Sequence, residues 1–403
     1  MTEHAPGTRS TGATTGVIDA YVRHTWSSPA ELVEYLPRAW REYLGRPDSL
    51  PAGGGMMNPF PTESYRNPRG EKAHWTYPAD GRTPGSDRET LQRQVLEKGP
   101  VARAVLSFDV GALIPAHTNH YLALELTRAA NAWTLERWLG GQEDRFYGLL
   151  LAANHLPEEA AADIRRYGSH SRVVGVLLGG NGIGKPFGHP LYHGLYAAAA
   201  EMGLPLVLTA GGDASPDTLT HPSGGGLPST YAEYSVLAAQ AIMTHLVSLV
   251  AQGVFELYPG LRVLVTGAGA SWLPGLIWRY DTEYKTLRRE VPWMTDLPSR
   301  YFTRHVRVCT YPLHLDREGG TVARLLGSLA GVEDLLCYGS GYPNWDCESP
   351  AEVAKGLPAE WAARVFFENA DGFFRWAPTT LQPHPRVAGV GQMVAGEGGR
   401  GGA

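Results

Sequence analysis

An α/β chain closed from eight strand–helix units is what the sequence predicts, and three observations carry that prediction. Short β-type runs, apolar throughout, recur eight times along the chain, and helical patterns follow most of them. Hydrophobic residues make up 43% of the 403, with 11 Trp and only 19% charged residues, so there is material for one large core. Strands that are apolar on both faces and separated by helices belong to a parallel sheet covered by helices. Eight of them close into a (β/α)₈ TIM barrel.

The runs, in order, are VIDAYVRH (17–24), VARAVLSFD (101–109), FYGLLLAAN (146–154), VVGVLLGG (173–180), LPLVLTAGG (204–212), LRVLVTGAG (261–269), VRVCTYP (306–312) and DLLCYGSGYP (334–343). Helical periodicity covers 121–139, 157–167, 191–202, 229–257, 272–290, 317–330 and 358–368. The span from Ser27 to about Pro100 breaks the alternation. It holds a short helix near 29–44 and then a Pro/Gly-rich stretch, and is expected to be an insertion between the first and second strands (27–100) that forms a lid over the mouth or an oligomer contact. Residues 1–15 and 379–403 are rich in Gly, Pro, Ser and Thr with no apolar period, and are expected to be disordered tails around a barrel of 16–378.

A formal charge of −5 and the lack of any Lys/Arg block argue against a nucleic-acid partner. The first residues carry no apolar signal region, and the longest apolar window, 235–255, is interrupted by Gln240, Thr244, His245, Ser248 and Gln252. Neither secretion nor a membrane is indicated, and the expected location is cytoplasmic. Cys309, Cys337 and Cys347 are odd in number and do not form a disulfide framework.

Several stretches resemble the amidohydrolase-related superfamily, in its branch of metal-dependent hydrolases and decarboxylases. They are VIDAYVRH with EYLPRAWREYL; YLALELTRAANAWTLERWL; HPLYHGLYAAAAEMGLPLVL; SLVAQGVFELYPGLRVLVTGAGASWLPGLIWRYDTEYKTLRREVPW with LPSRYF; and YGSGYPNWD leading to ENADGFF. They lie in order across most of residues 17–375. The resemblance implies a metal at the C-terminal ends of the strands. Its ligands would be an Asp/His-x-His pair on the first strand, a His ending the fifth, a His or Glu on the sixth and the Asp of Ser-Asp-Tyr-Pro-His on the eighth. Here those positions, with the last His, hold Tyr21 and Arg23, Thr209, Gly267, Gly341 and Asn344.

Strand alternation makes the departures coherent. Tyr21 and Arg23 share one face of the first strand and His24 takes the other, so His24 replaces the missing ligand only with a register slip. A catalytic zinc site needs about three N, O or S ligands. These strand ends offer one phenol, one hydroxyl and a guanidinium that has no lone pair to give. The expectation is a mouth without the usual metal, and no cofactor.

Two nucleotide-like motifs fail on inspection. GGNGIGKP (179–186) has Pro186 where a phosphate loop needs a hydroxyl, and GAGASW (267–272) has Trp272 where a dinucleotide fold needs Gly. His117 with His120 and His189 with His193 are close in sequence, but the second pair straddles Pro190 and neither has a paired carboxylate nearby.

Two functions fit such a chain. It is a non-catalytic subunit that pairs with an intact amidohydrolase homologue, or with its own copy. Alternatively it is a repurposed, metal-independent lyase, hydrolase or cyclase for a small anionic molecule, so that enzyme status stays open. On the second reading Arg23 anchors the anion, Tyr21, Thr209 and Asp346 supply hydrogen bonds or proton transfer, and His24, Asn154, Asn181 and Asn344 are candidate substrate contacts.

Overall fold

In a computed structural model the described residues are 16–44, 72–117, 119–141, 145–181, 183–210, 224, 230–315 and 320–377. The first strand, β1 (Val17–His24), is buried at every position, as a strand covered on both faces must be. Around it run β2 (Val101–Phe108), β3 (Phe146–Leu151), β4 (Val173–Leu178), β5 (Leu206–Thr209), β6 (Val263–Thr266), β7 (Val306–Cys309) and β8 (Leu336–Cys337). They form one eight-stranded sheet in sequence order, every paired neighbour parallel.

The last strand is shorter than its apolar run: a 3-10 helix, Val332–Asp334, precedes it, and only Leu336 and Cys337 pair with β7. The chain beyond it still stitches the seam to β1. Ala20 N donates to Tyr338 O (2.9 Å), Gly341 N to Tyr21 O (3.1 Å) and Arg23 N to Tyr342 O (2.8 Å), which closes the barrel.

The helices follow ordinary end chemistry. Asn119 caps His120–Trp133 by accepting from Leu122 N at 3.1 Å. Pro157–Tyr167 opens with Pro and two Glu and ends with two Arg, matching its dipole at both ends. The single helix expected over 229–257 is three: Tyr231–Leu237, started by a Thr230–Glu233 capping box, then Ala239–Ala251 and Val254–Leu257. Gly253, at φ +70°, makes the second break. An additional helix, Pro298–His305, buries Pro298, Tyr301, Phe302 and His305, the i, i+3, i+4, i+7 face of one helix.

Of the insertion, 27–44 holds the helices Ala30–Val33 and Arg38–Leu44, and 72–100 ends in the helix Arg88–Leu91 and a π-turn, Gln92–Glu97. Lys72 makes an isolated antiparallel bridge to Asn344. Residues 45–71 and both expected tails lie outside the described residues.

Candidate functional site

The two-residue period of β1 sends Tyr21 and Arg23 toward the mouth. Asp109, just past β2, stands beside Arg23 because Arg23 and Ser107 are register partners. Arg23 Nη1 lies 2.9 Å from Asp109 Oδ1, and Lys72 Nζ lies 2.7 Å from Asp109 Oδ2. Arg23 is only 8% exposed, yet its Nε and Nη2 meet no acceptor among the described residues. Those two nitrogens form one edge of the guanidinium, the edge that pairs with a planar two-oxygen anion. Burial works against the charge on Arg23, but Tyr21, Asp109, Tyr311 and Asp346 outweigh it and raise its pKa.

The glycine at 341 has a steric cause. Its φ is +70°, and a Cβ there would sit 2.4 Å from Cε2 and Cζ of Tyr311. At Gly267, φ +71°, a Cβ would meet the Tyr21 hydroxyl at 3.2 Å. Two phenols therefore fill the room that larger residues would take at these strand ends. Tyr311 donates to Asp346 Oδ1 (2.5 Å) and accepts from Asn344 Nδ2 (2.8 Å), while the Tyr21 and Thr209 hydroxyls are 3.3 Å apart. Burial, with Asp346 adding to it, pushes the Tyr311 pKa well above the usual phenol range.

Below and beside this layer two carboxyls titrate late. Asp19 accepts from Ser340 N (2.9 Å) and Tyr21 N (3.1 Å), and burial raises it to about 6. Glu348 accepts from Leu313 N (2.9 and 3.0 Å), and burial raises it to about 7. It thus ties the loop after β7, including His314 at φ +55°, to the loop after β8.

Above the layer opens a cavity of about 570 Å³. Tyr21, Arg23, Tyr311, Asn344 and Asp346 are among the residues that line one part, and Ala210, Gly267, Ala268, Tyr231, Tyr234, Trp272 and Trp345 are among those that line the rest. Such a mixture of apolar walls and convergent polar groups suits a small ligand.

Of the residues singled out from sequence, Arg23, Tyr21, Asp346 and Asn344 meet in this cavity, and Thr209 supports Tyr21 from beneath. Three others are elsewhere. His24 is fully buried on the outer face of β1, between Ser107 O (2.7 Å) and Thr134 Oγ1 (2.9 Å) and stacked on Trp133; burial pushes its pKa down to about 4. Asn181 braces its own loop through Lys185 O (2.6 Å) and the Tyr192 hydroxyl (3.3 Å). Asn154 is fully buried and does not line the cavity. Tyr311 and Lys72 are the residues that sequence reasoning missed. The Tyr-Pro that ends the β7 run, like the Tyr-Pro after β8, was the available signal for the first.

The residues do not fit the divalent metal that the fold family implies. Among the described residues no three His, Cys, Asp or Glu come together to hold one. The carboxylate nearest Arg23, Asp109, is paired with two cations. Tyr311 keeps its proton, and a guanidinium fixes positive charge beside it.

The family model for amidohydrolases matches residues 96–376, and the chain belongs to that family. It is 23% identical to the gamma-resorcylate decarboxylase of Rhodococcus jostii (strain RHA1) over 228 residues, which are 52% of this chain and 67% of that one. Among solved structures it resembles an amidohydrolase of Mycobacterium avium subsp. paratuberculosis K-10 with 18% identity and a TM-score of 0.64, covering 90% of this chain and 98% of the other. It also resembles the 2,6-dihydroxybenzoate decarboxylase from Rhizobium, with 17% identity and a TM-score of 0.58, covering 89% and 98%. At these identities the structures establish the shared barrel.

Proposed function

We propose that the barrel mouth binds a small organic acid with a flat apolar body, its carboxylate on the open edge of Arg23, and acts on it as a lyase without a metal at the strand ends. One observation supports this above the others: the buried, unpartnered Nε and Nη2 of Arg23 in the wall of a 570 Å³ cavity. Leaving such donors unmet costs on the order of 1–3 kcal/mol each, which an incoming carboxylate recovers. The aromatic and small residues opposite suit a flat body. Relatives named for decarboxylating gamma-resorcylate and 2,6-dihydroxybenzoate point to the same ligand class.

The geometry also limits the chemistry. An ion pair to a carboxylate that departs as CO₂ is strongest before reaction and fades during it, which slows the step. Arg23 therefore holds a charge that persists. The bond that breaks lies further into the cavity, in a dehydration, a cyclisation or the loss of a second acid group. On this reading Tyr311 with Asp346, and Tyr21 backed by Thr209, move the proton. Calorimetric titration with benzoate tests the anchor. Binding in the native chain, weakened in R23K and lost in R23A, supports it; equal binding by all three removes Arg23 from the site.

A second reading rests on a separate observation: the strand-end positions that the resemblance would give to metal ligands hold Tyr21, Arg23, Thr209, Gly267 and Gly341, while the hydrophobic core is continuous. On it the chain is a non-catalytic subunit of an intact amidohydrolase homologue. Co-expression with such a homologue and size-exclusion of the mixture checks this, and recovery of each chain alone counts against it.

A further inference from the structure

We infer that the acid bound at the mouth is an amino acid, its ammonium group held by Asp346 while Arg23 holds its carboxylate; this rests on the carboxylate reading above. Asp346 lines the same cavity as Arg23 and is partly buried there. Among the described residues it accepts one side-chain hydrogen bond, from the Tyr311 hydroxyl to Oδ1 at 2.5 Å, and it pairs with no Lys, Arg or His. Its second oxygen, Oδ2, is an unspent acceptor. Arg23 does not take it, since the one ion pair of Arg23 runs through Nη1 to Asp109. The two groups are nevertheless near enough for Asp346 to help raise the pKa of Arg23.

One cavity thus presents an open guanidinium edge and an open carboxylate oxygen that do not meet each other. A plain acid answers only the first. An acid that also carries an ammonium group answers both, and each of its charges gains a hydrogen-bonded partner of opposite sign. The rings near Asp346 suit the same group. Tyr311 is bonded to it, Trp345 precedes it in the chain, and Trp272 and Tyr231 share the cavity. Aromatic faces attract an ammonium ion, Trp most strongly. His314, the other basic residue of the described lining, is exposed and makes no ion pair with Asp346. The small residues Ala210, Gly267 and Ala268 leave space for the apolar part of such a ligand.

Matched pairs of acids that differ only in the ammonium group test this by titration calorimetry, with thermal unfolding as the control for folding. One pair is L-phenylalanine and 3-phenylpropanoate, with the two charges adjacent; the other is 4-(aminomethyl)benzoate and 4-methylbenzoate, with the charges across a ring. The native chain is expected to prefer the ammonium-bearing member of at least one pair by about tenfold, the worth of one charged hydrogen bond. D346N keeps an acceptor for Tyr311 and is expected to bring that ratio within about threefold. No preference in either pair on the native chain overturns the inference, whether or not D346N folds. A preference that persists in folded D346N also overturns it, because the ammonium group is then held elsewhere. Plain acids that bind and are lost in R23A, with no gain from the ammonium group, leave the carboxylate reading standing while the inference falls. Plain acids that bind R23A as tightly as the native chain, or no binding by any of the four, bring down both.

Discussion

The two sides of the barrel mouth differ sharply. On one, β1, β2, the insertion between them and the loops after β7 and β8 crowd together Arg23, Asp109, Lys72, Tyr311, Asn344 and Asp346, with contacts of 2.5–2.9 Å. On the other, β5 and β6 end in Thr209, Ala210, Gly267 and Ala268, with aromatic rings standing further out. The first side is crowded and carries fixed charge; the second is lined by small residues. A metal centre would draw ligands from both. The asymmetry instead divides the labour, one wall gripping a charged head and the other leaving space for a body.

The comparison breaks most directly at Arg23. R23A is expected to weaken benzoate by on the order of 100-fold, since two charge-assisted hydrogen bonds go with the guanidinium, and titration calorimetry reads it. Next comes the crowded wall itself. Gly341→Ala forces a Cβ into the Tyr311 ring at a left-handed φ, and a loss of about 2–4 kcal/mol in denaturant unfolding is expected. Pairing it with Tyr311→Ala should return part of that loss.

The roomy wall is sharpened by size. Ala268→Leu is expected to leave benzoate within about threefold but to weaken the two-ring acid 2-naphthoate by about tenfold, whereas R23A should weaken both alike. Equal effects on the two acids would mean that Ala268 does not face the body.

Glu348 gives a pH signature. Its folded-state pKa, about 7, lies above its ordinary 4.5, so its contribution to stability is complete below about pH 4.5 and is lost as pH rises through about 7. Buried His24 and His155, pushed down to about 4, contribute in the opposite sense, being penalised as they gain charge in acid. The difference between native and E348Q isolates the carboxyl: the unfolding midpoint of the native chain should fall relative to E348Q between about pH 4.5 and pH 7. The smallest effect is expected from Thr209→Val, under about 1 kcal/mol, because its contact to Tyr21 is 3.3 Å long.

Much of the barrel was legible in the sequence because strand burial on both faces writes apolar runs that need no tertiary knowledge. VIDAYVRH became β1 at the same residues, and its alternation placed Tyr21 and Arg23 on the mouth side with His24 opposite. Boundaries were less legible. The run 229–257 reads as one helical pattern with no Pro in it, and only Gly253 marks a break, the second of the two. The site was legible only where one strand carried it. Lys72 reaches Asp109 from 37 residues away in an insertion with no periodic signal, and Tyr311 is recognisable as a partner of Gly341 only once β7 and β8 lie side by side. His24, Asn154 and Asn181 were plausible because they end or follow strands, but such polar residues also brace loops and outer faces, as His24 and Asn181 do here.

The measurement closest to the central claim is benzoate calorimetry on native protein before and after exhaustive chelation, with metal content read in parallel. Binding that survives chelation unchanged and disappears in R23A is the predicted result. Binding that chelation abolishes, and that stoichiometric zinc or manganese restores, would contradict a mouth built on a guanidinium.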